Sequence, residues 1–181
     1  MNENSKVMVK SGVKGRVGVS LPELRFKRQW PKMGAMVPME FSILQEAIFN
    51  DGFSRMLKNG VLVIEDMEAK IALGLEPEGA TEPVNTFSLN EMQMVKLLKV
   101  DPIDSFKETI SKLSKDQLMS LCDIAIEKEI YDFEKTDLLK KKTNIDIRKA
   151  IELNRKDKEE VITDENMPKF NSQATPPPFM K

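Results

Sequence analysis

Residues 60–73 read Gly-Val-Leu-Val-Ile-Glu-Asp-Met-Glu-Ala-Lys-Ile-Ala-Leu, and the fold class turns on them. Residues 61–64 are a continuous apolar run of strand length, while residues 67–73 space their apolar positions as a helix does. On the N-terminal side of this switch, short segments alternate with period two and two short helices follow them. On the C-terminal side the helical period takes over. Strands gathered in an N-terminal mixed part and followed by an all-helical part predict an α+β protein.

Working toward the N-terminus, Val7 and Val9 alternate with Met8 and Lys10, and Ser11-Gly12-Val13-Lys14-Gly15 supplies turn residues. Alternation resumes through Val17 and Val19 until Pro22, then continues through Leu24 and Phe26 until Trp30-Pro31. Ala35-Met36-Val37 is a third short piece that stops at Pro38. These segments predict hairpins in one small sheet, with Gly12 and Gly15 in hairpin turns and the prolines at edges or strand ends. Residues 41–49 move to helical spacing. Asn50-Asp51-Gly52 and Asn59-Gly60 punctuate a second short helix containing Phe53, Met56 and Leu57.

Toward the C-terminus, residues 74–87 are rich in Gly, Pro, Thr and Glu and read as a loop or linker. Helices follow. Ser88-x-x-Glu91 has the form of a capping box, with Leu89, Met92, Val95 and Leu98 as its apolar stripe. Asp101-Pro102 reads as the start of a helix bearing Ile103, Phe106, Ile110 and Leu113. Ser114-x-x-Gln117 caps a third, with Leu118, Leu121, Cys122 and Ala125 on one face. Thr136 is read as the cap of a fourth, and Ile147, Ala150 and Ile151 mark a last one. The predicted organisation is a β-rich mixed domain over residues 1–80, a linker at 81–87, a helical domain at 88–157, and an extended or disordered tail at 158–181.

Composition narrows the chemistry. The 181 residues include no histidine, which removes the usual general base near neutral pH and the commonest transition-metal ligand. Cys122 is the sole cysteine, so no intramolecular disulfide forms, and its apolar neighbours predict a buried structural thiol. Residues 1–20 lack the apolar core of a secretory signal, and no apolar run approaches the roughly 18 residues that span a bilayer. These readings predict a cytosolic product with no membrane partner. The formal net charge of −1 conceals a gradient. Residues 1–60 carry an excess of Lys and Arg, whereas residues 61–82 set six acids against Lys70 alone. Opposite-sign segments of this kind suit subunits meeting head to tail, and uneven surface charge is the plainer alternative.

Four features are candidates for a site. Glu65-Asp66-x-Glu68 closes the buried strand, where metal ligands often sit; acids favouring a helix N-terminus explain it better. Gly12, Gly15 and Gly18 match no phosphate-binding loop. Arg25, Lys27, Arg28 and Trp30 interleave charge with aromatic rings, a pattern able to contact phosphates and stack on bases; one exposed strand face with Phe26 and Trp30 turned to the core is the alternative. Pro176-Pro177-Pro178-Phe179-Met180 favours a preformed polyproline II segment that suits docking into a groove on a neighbouring subunit, with a disordered terminus as the alternative. No catalytic residue, metal ligand or cofactor site is assigned.

Residues 21–32, Leu-Pro-Glu-Leu-Arg-Phe-Lys-Arg-Gln-Trp-Pro-Lys, together with residues 60–67 and 144–155, resemble small structural proteins of tailed bacteriophages. The resemblance implies a non-enzymatic, multicopy virion component made in the host cytoplasm and leaves capsid, head–tail connector and tail roles open, of which the capsid and the connector are the expectation. Its partners would be other virion proteins and copies of itself, with candidate contacts at Arg25, Lys27, Arg28, Trp30 and residues 176–180. A nucleic-acid-binding or regulatory protein using the basic N-terminal third is the rival reading. A magnesium-dependent enzyme working through carboxylates is the third.

Overall fold

A computed structural model of the chain describes residue 2 and residues 4–165, with side chains through residue 157. Among the described residues there are five strands and eight α-helices. The strands are β1 (Lys6–Ser11), β2 (Val17–Leu21), β3 (Phe26–Trp30), β4 (Met36–Glu40) and β5 (Leu62–Ile64). The helices are α1 (Phe41–Ala47), α2 (Asp51–Lys58), α3 (Met67–Ala72), α4 (Glu91–Lys99), α5 (Ile103–Lys112), α6 (Lys115–Glu127), α7 (Phe133–Thr143) and α8 (Ile147–Glu165). The protein is α+β, as the switch at residues 60–73 predicts.

β1 is the central strand of a three-stranded antiparallel sheet of order β4-β1-β5. Val9 lies opposite Val37 and Ile64, and Lys10 lies opposite Met36 and Val63. Period-two alternation therefore turns Val7, Val9 and Ser11 inward and Lys6, Met8 and Lys10 outward. The inner face packs against Phe41 and Leu44 of α1, Phe53 and Leu57 of α2, and the hairpin β2–β3. The Trp30 indole Nε1 donates to the Val9 carbonyl at 2.7 Å, joining hairpin to sheet while satisfying its own polar atom.

Three strand expectations change. The N-terminal segments form two sheets rather than one, because β2 and β3 pair only with each other. Gly12 and Gly15 consequently lie between strands of different sheets and not in hairpin turns. What Gly12 answers is close approach: a Cβ there would fall 2.1 Å from the Gly60 carbonyl oxygen. β4 also runs through Pro38, which faces Met8. Proline is tolerated because β4 is an edge strand and needs no donor on its free side.

A second apolar core gathers Met94, Leu97 and Leu98 of α4, Phe106 and Ile110 of α5, Leu121 and Ile124 of α6, Leu139 of α7, and Ile147 and Ile151 of α8. Cys122 is fully buried in it, as expected, and burial raises its thiol pKa. The predicted positions on α5 and α6 hold. Those on α4 shift: its capping box is Asn90 with Gln93, each side chain bonding the other's backbone N–H at 2.9 Å. The helix therefore begins later than Ser88 suggests, and Met92 is 81% exposed. Asp101 makes no cap, since α5 starts after Pro102 without a side-chain cap. Asp132 caps α7, while the Thr136 hydroxyl bonds back to the Asp132 carbonyl from inside the helix. Buried Lys135 donates to the carbonyls of Leu97 and Leu98 at 3.1 and 2.9 Å, terminating α4 from a neighbouring helix. α8 continues past residue 157, where the tail was expected to begin. Its Lys- and Glu-rich sequence has no Gly or Pro to stop the helix, and helix propensity needs no apolar face.

Candidate assembly surface

One fully buried side chain bridges the two cores. Gln117 in the first turn of α6 is fully buried. Its Nε2 donates to the carbonyls of Gly12 at 3.2 Å and Gly60 at 3.0 Å, and its Oε1 accepts from the Leu89 backbone N–H at 3.0 Å. Ser114 does cap α6, as its spacing predicts, accepting from the Gln117 N–H at 3.3 Å. The amide that would complete a capping box turns inward instead. Around it, the Ser114 hydroxyl donates to the Asn59 carbonyl at 2.5 Å, the Lys14 N–H donates to Ser120 Oγ at 3.0 Å, and Lys14 pairs with Glu127. Gly60 permits this contact because its φ is +68° and its missing side chain leaves room for the amide.

Beside this junction lies a cleft of about 770 Å³. Its floor is the outer face of the sheet, where Lys10 and Val63 sit next to Met36. Its wall is residues 82–93, with Phe87 and Met92, and Met33 closes one side. Met36 is 50% exposed and Met8, on the same sheet face, 46%. The wall is held by Glu76, a buried carboxylate. Glu76 Oε2 accepts from the N–H groups of Val84 and Asn85 at 2.9 Å each. Oε1 accepts from the Thr86 N–H at 2.8 Å and the Thr86 hydroxyl at 2.5 Å. Burial alone would raise the pKa of this group; the Thr86 hydroxyl and the three backbone donors outweigh it and bring it down to about 2.

Lys70 of α3 is also buried and lines the cleft. Desolvation lowers its pKa, against the opposing pull of Glu76 and Glu65. The acidic run that drew attention in the sequence has structural work: Asp66 caps α3 by accepting from the Ala69 N–H at 3.1 Å, and Glu65 pairs with Lys10. Among the described residues, no three His, Cys, Asp or Glu side chains form a group able to hold a metal ion.

The structure separates the basic candidates. Trp30 is fully buried, so its assignment as an assembly contact is corrected: an indole filling the core offers no surface to a partner. Phe26 and Trp30 both face inward, as the alternative reading of this segment has it. Arg25, Lys27 and Arg28 are exposed. Lys27 and Arg28 are consecutive on β3 and so point to opposite sides of the hairpin. Arg28 stacks over Phe26, 5.3 Å from the ring centroid, and Arg25 holds a left-handed turn with φ of 48°. Residues 176–180 lie outside the described residues.

Sequence reasoning missed Gln117, Glu76 and the methionine-lined cleft. A signal existed only for Gln117, whose capping spacing points to the wrong role. No family model, curated protein or solved structure matches the chain. Among the described residues, no helix is long and apolar enough to cross a membrane.

Proposed function

We propose that the chain is a structural, multicopy assembly protein of a phage particle, at the capsid or the head–tail connector, acting through subunit–subunit contacts. The observation carrying this reading is the outer face of the β4-β1-β5 sheet, where the described residues leave Met8 and Met36 exposed, and which runs into a preformed cleft lined by Met33, Met36, Phe87 and Met92. Methionine side chains are flexible and polarizable, and they suit a surface that must fit another protein. The resemblance of residues 21–32, 60–67 and 144–155 to phage structural proteins supplies the setting. The nucleic-acid alternative draws less support, because Lys27 and Arg28 diverge from a single face. The carboxylate-enzyme reading loses its cluster to the cap of α3 and the Lys10 pair.

The test is sedimentation of the native protein from its source lysate through a density gradient at high salt. Stoichiometric co-migration with nuclease-resistant, DNA-filled particles is the expected result. A protein that stays in the soluble fraction overturns the reading.

A further inference from the structure

We propose that the methionine-lined cleft receives residues 176–180, Pro-Pro-Pro-Phe-Met, of a second copy of this chain; the inference deepens the assembly reading and rests on it. The cleft is ready-made. Glu76 fixes residues 84–86 of its wall, Gln117 holds Leu89, and the Asn90–Gln93 capping box fixes the remainder. A site whose walls are already hydrogen-bonded loses little entropy when it is filled. Its volume of about 770 Å³ lies in the range of sites that enclose a compact apolar ligand.

The segment is matched in kind. Three consecutive prolines prefer polyproline II, which advances about 3.1 Å per residue, and five residues in that conformation would span roughly 15 Å. Phe179 and Met180 at its end supply apolar side chains for Met36, Met33 and Phe87, with sulfur–aromatic contacts in both directions. Residues 166–181 follow α8 and contain Lys169 and Lys181 but no acid. Fully extended, a stretch of that length reaches about 50 Å, enough to pass from one small subunit to the next. The rim it meets carries exposed Glu82, opposite in sign to Lys181.

Site-directed disulfide trapping on the full chain tests this. One preparation carries Phe179→Cys and a second carries Met36→Cys. Met92→Cys, on the cleft wall, serves as a second receiving position should the first variant fold poorly. The native Cys122 is fully buried, so its background reaction is slow. Phe49→Cys is the control, since Phe49 is 86% exposed and lies away from the cleft. Mixed and mildly oxidised, the cleft variants should form the mixed disulfide dimer at least tenfold faster than the control, and excess peptide of residues 171–181 should suppress it. Equal rates at Phe49 and the cleft overturn the proposal. So does a concentration-independent bond within a single chain carrying both cysteines, which would place the segment in its own cleft. Failure to trap, alongside co-sedimentation with particles, would reject the cleft while leaving the assembly role standing. Trapping by a protein that never enters particles would do the reverse.

Discussion

Gln117 reaches Gly60, 57 residues earlier in the chain, and donates to its carbonyl at 3.0 Å from a fully buried position. The same amide bonds Gly12 and Leu89, so one side chain connects the β1–β2 loop, the approach to β5 and the approach to α4. Each of those backbone groups is otherwise open to loss of its partner, and an orphaned buried polar group is expensive.

Replacing Gln117 by Ala should therefore lower unfolding stability by about 2–3 kcal/mol. Gln117→Glu is the sharper variant. A carboxylate keeps the acceptor for Leu89 but presents oxygen to the carbonyls of Gly12 and Gly60. At pH 7 it should be at least as damaging as Ala in urea unfolding; wild-type stability in Gln117→Glu would show that these donor contacts contribute nothing.

Glu76 makes stability depend on acid. Its folded pKa of about 2 lies below the ordinary 4.5, so the unfolded chain takes up the proton first. The contribution is fully present above pH 4.5 and is lost as pH falls through 2. A shift of that size corresponds to about 3 kcal/mol. Urea midpoints measured from pH 6 to pH 2 should fall less steeply for Glu76→Gln than for the native chain, and Glu76→Gln should be the less stable at pH 6. Parallel curves would remove Glu76 from the acid response.

Lys70 predicts a gain. Its ammonium is desolvated, and Glu76 already has four donors of its own. Exchange for an apolar side chain of similar length, Lys70→Met, should leave stability unchanged or raise it by about 1 kcal/mol at pH 7. A drop in thermal midpoint would reveal an ion pair that outweighs the burial penalty.

Phe106 is fully buried in the helical core, with the Lys135 ammonium 5.6 Å from its ring centroid. Phe106→Ala should destabilise by roughly 3–5 kcal/mol, through lost burial and the cavity left behind. Chemical denaturation gives the value directly, and a negligible change would contradict the packing of α5.

Deleting residues 175–181 should leave the unfolding midpoint unchanged and weaken self-association. Light scattering with and without the deletion separates these effects. Undiminished association would reject a docking role for the segment.

Much of this protein is determined locally. Alternation in β1, the helical period of α5 and α6, the strand-to-helix switch at β5 and the burial of Cys122 are legible because side-chain periodicity and caps depend on neighbours within a few residues. Cap choice already strains that locality. Ser88, Asp101 and Thr136 are good capping types, yet Asn90 and Asp132 do the capping at two of these helices and α5 has no side-chain cap. Several nearby residues can serve chemically, and packing selects among them.

The site was decided by tertiary structure. Nothing near Glu76 in the chain reveals that it will collect four donors from residues 84–86, and nothing near Gln117 reveals Gly12 and Gly60. Pairing of β2 with β3 apart from β1 likewise depends on which apolar faces find each other. The residues quoted first thus determined that strands give way to helices. The outward face of Met8 and Met36, the inward face of Trp30 and the cleft between sheet and wall followed from long-range packing, because burial and hydrogen bonding join groups by distance in space and not by order along the chain.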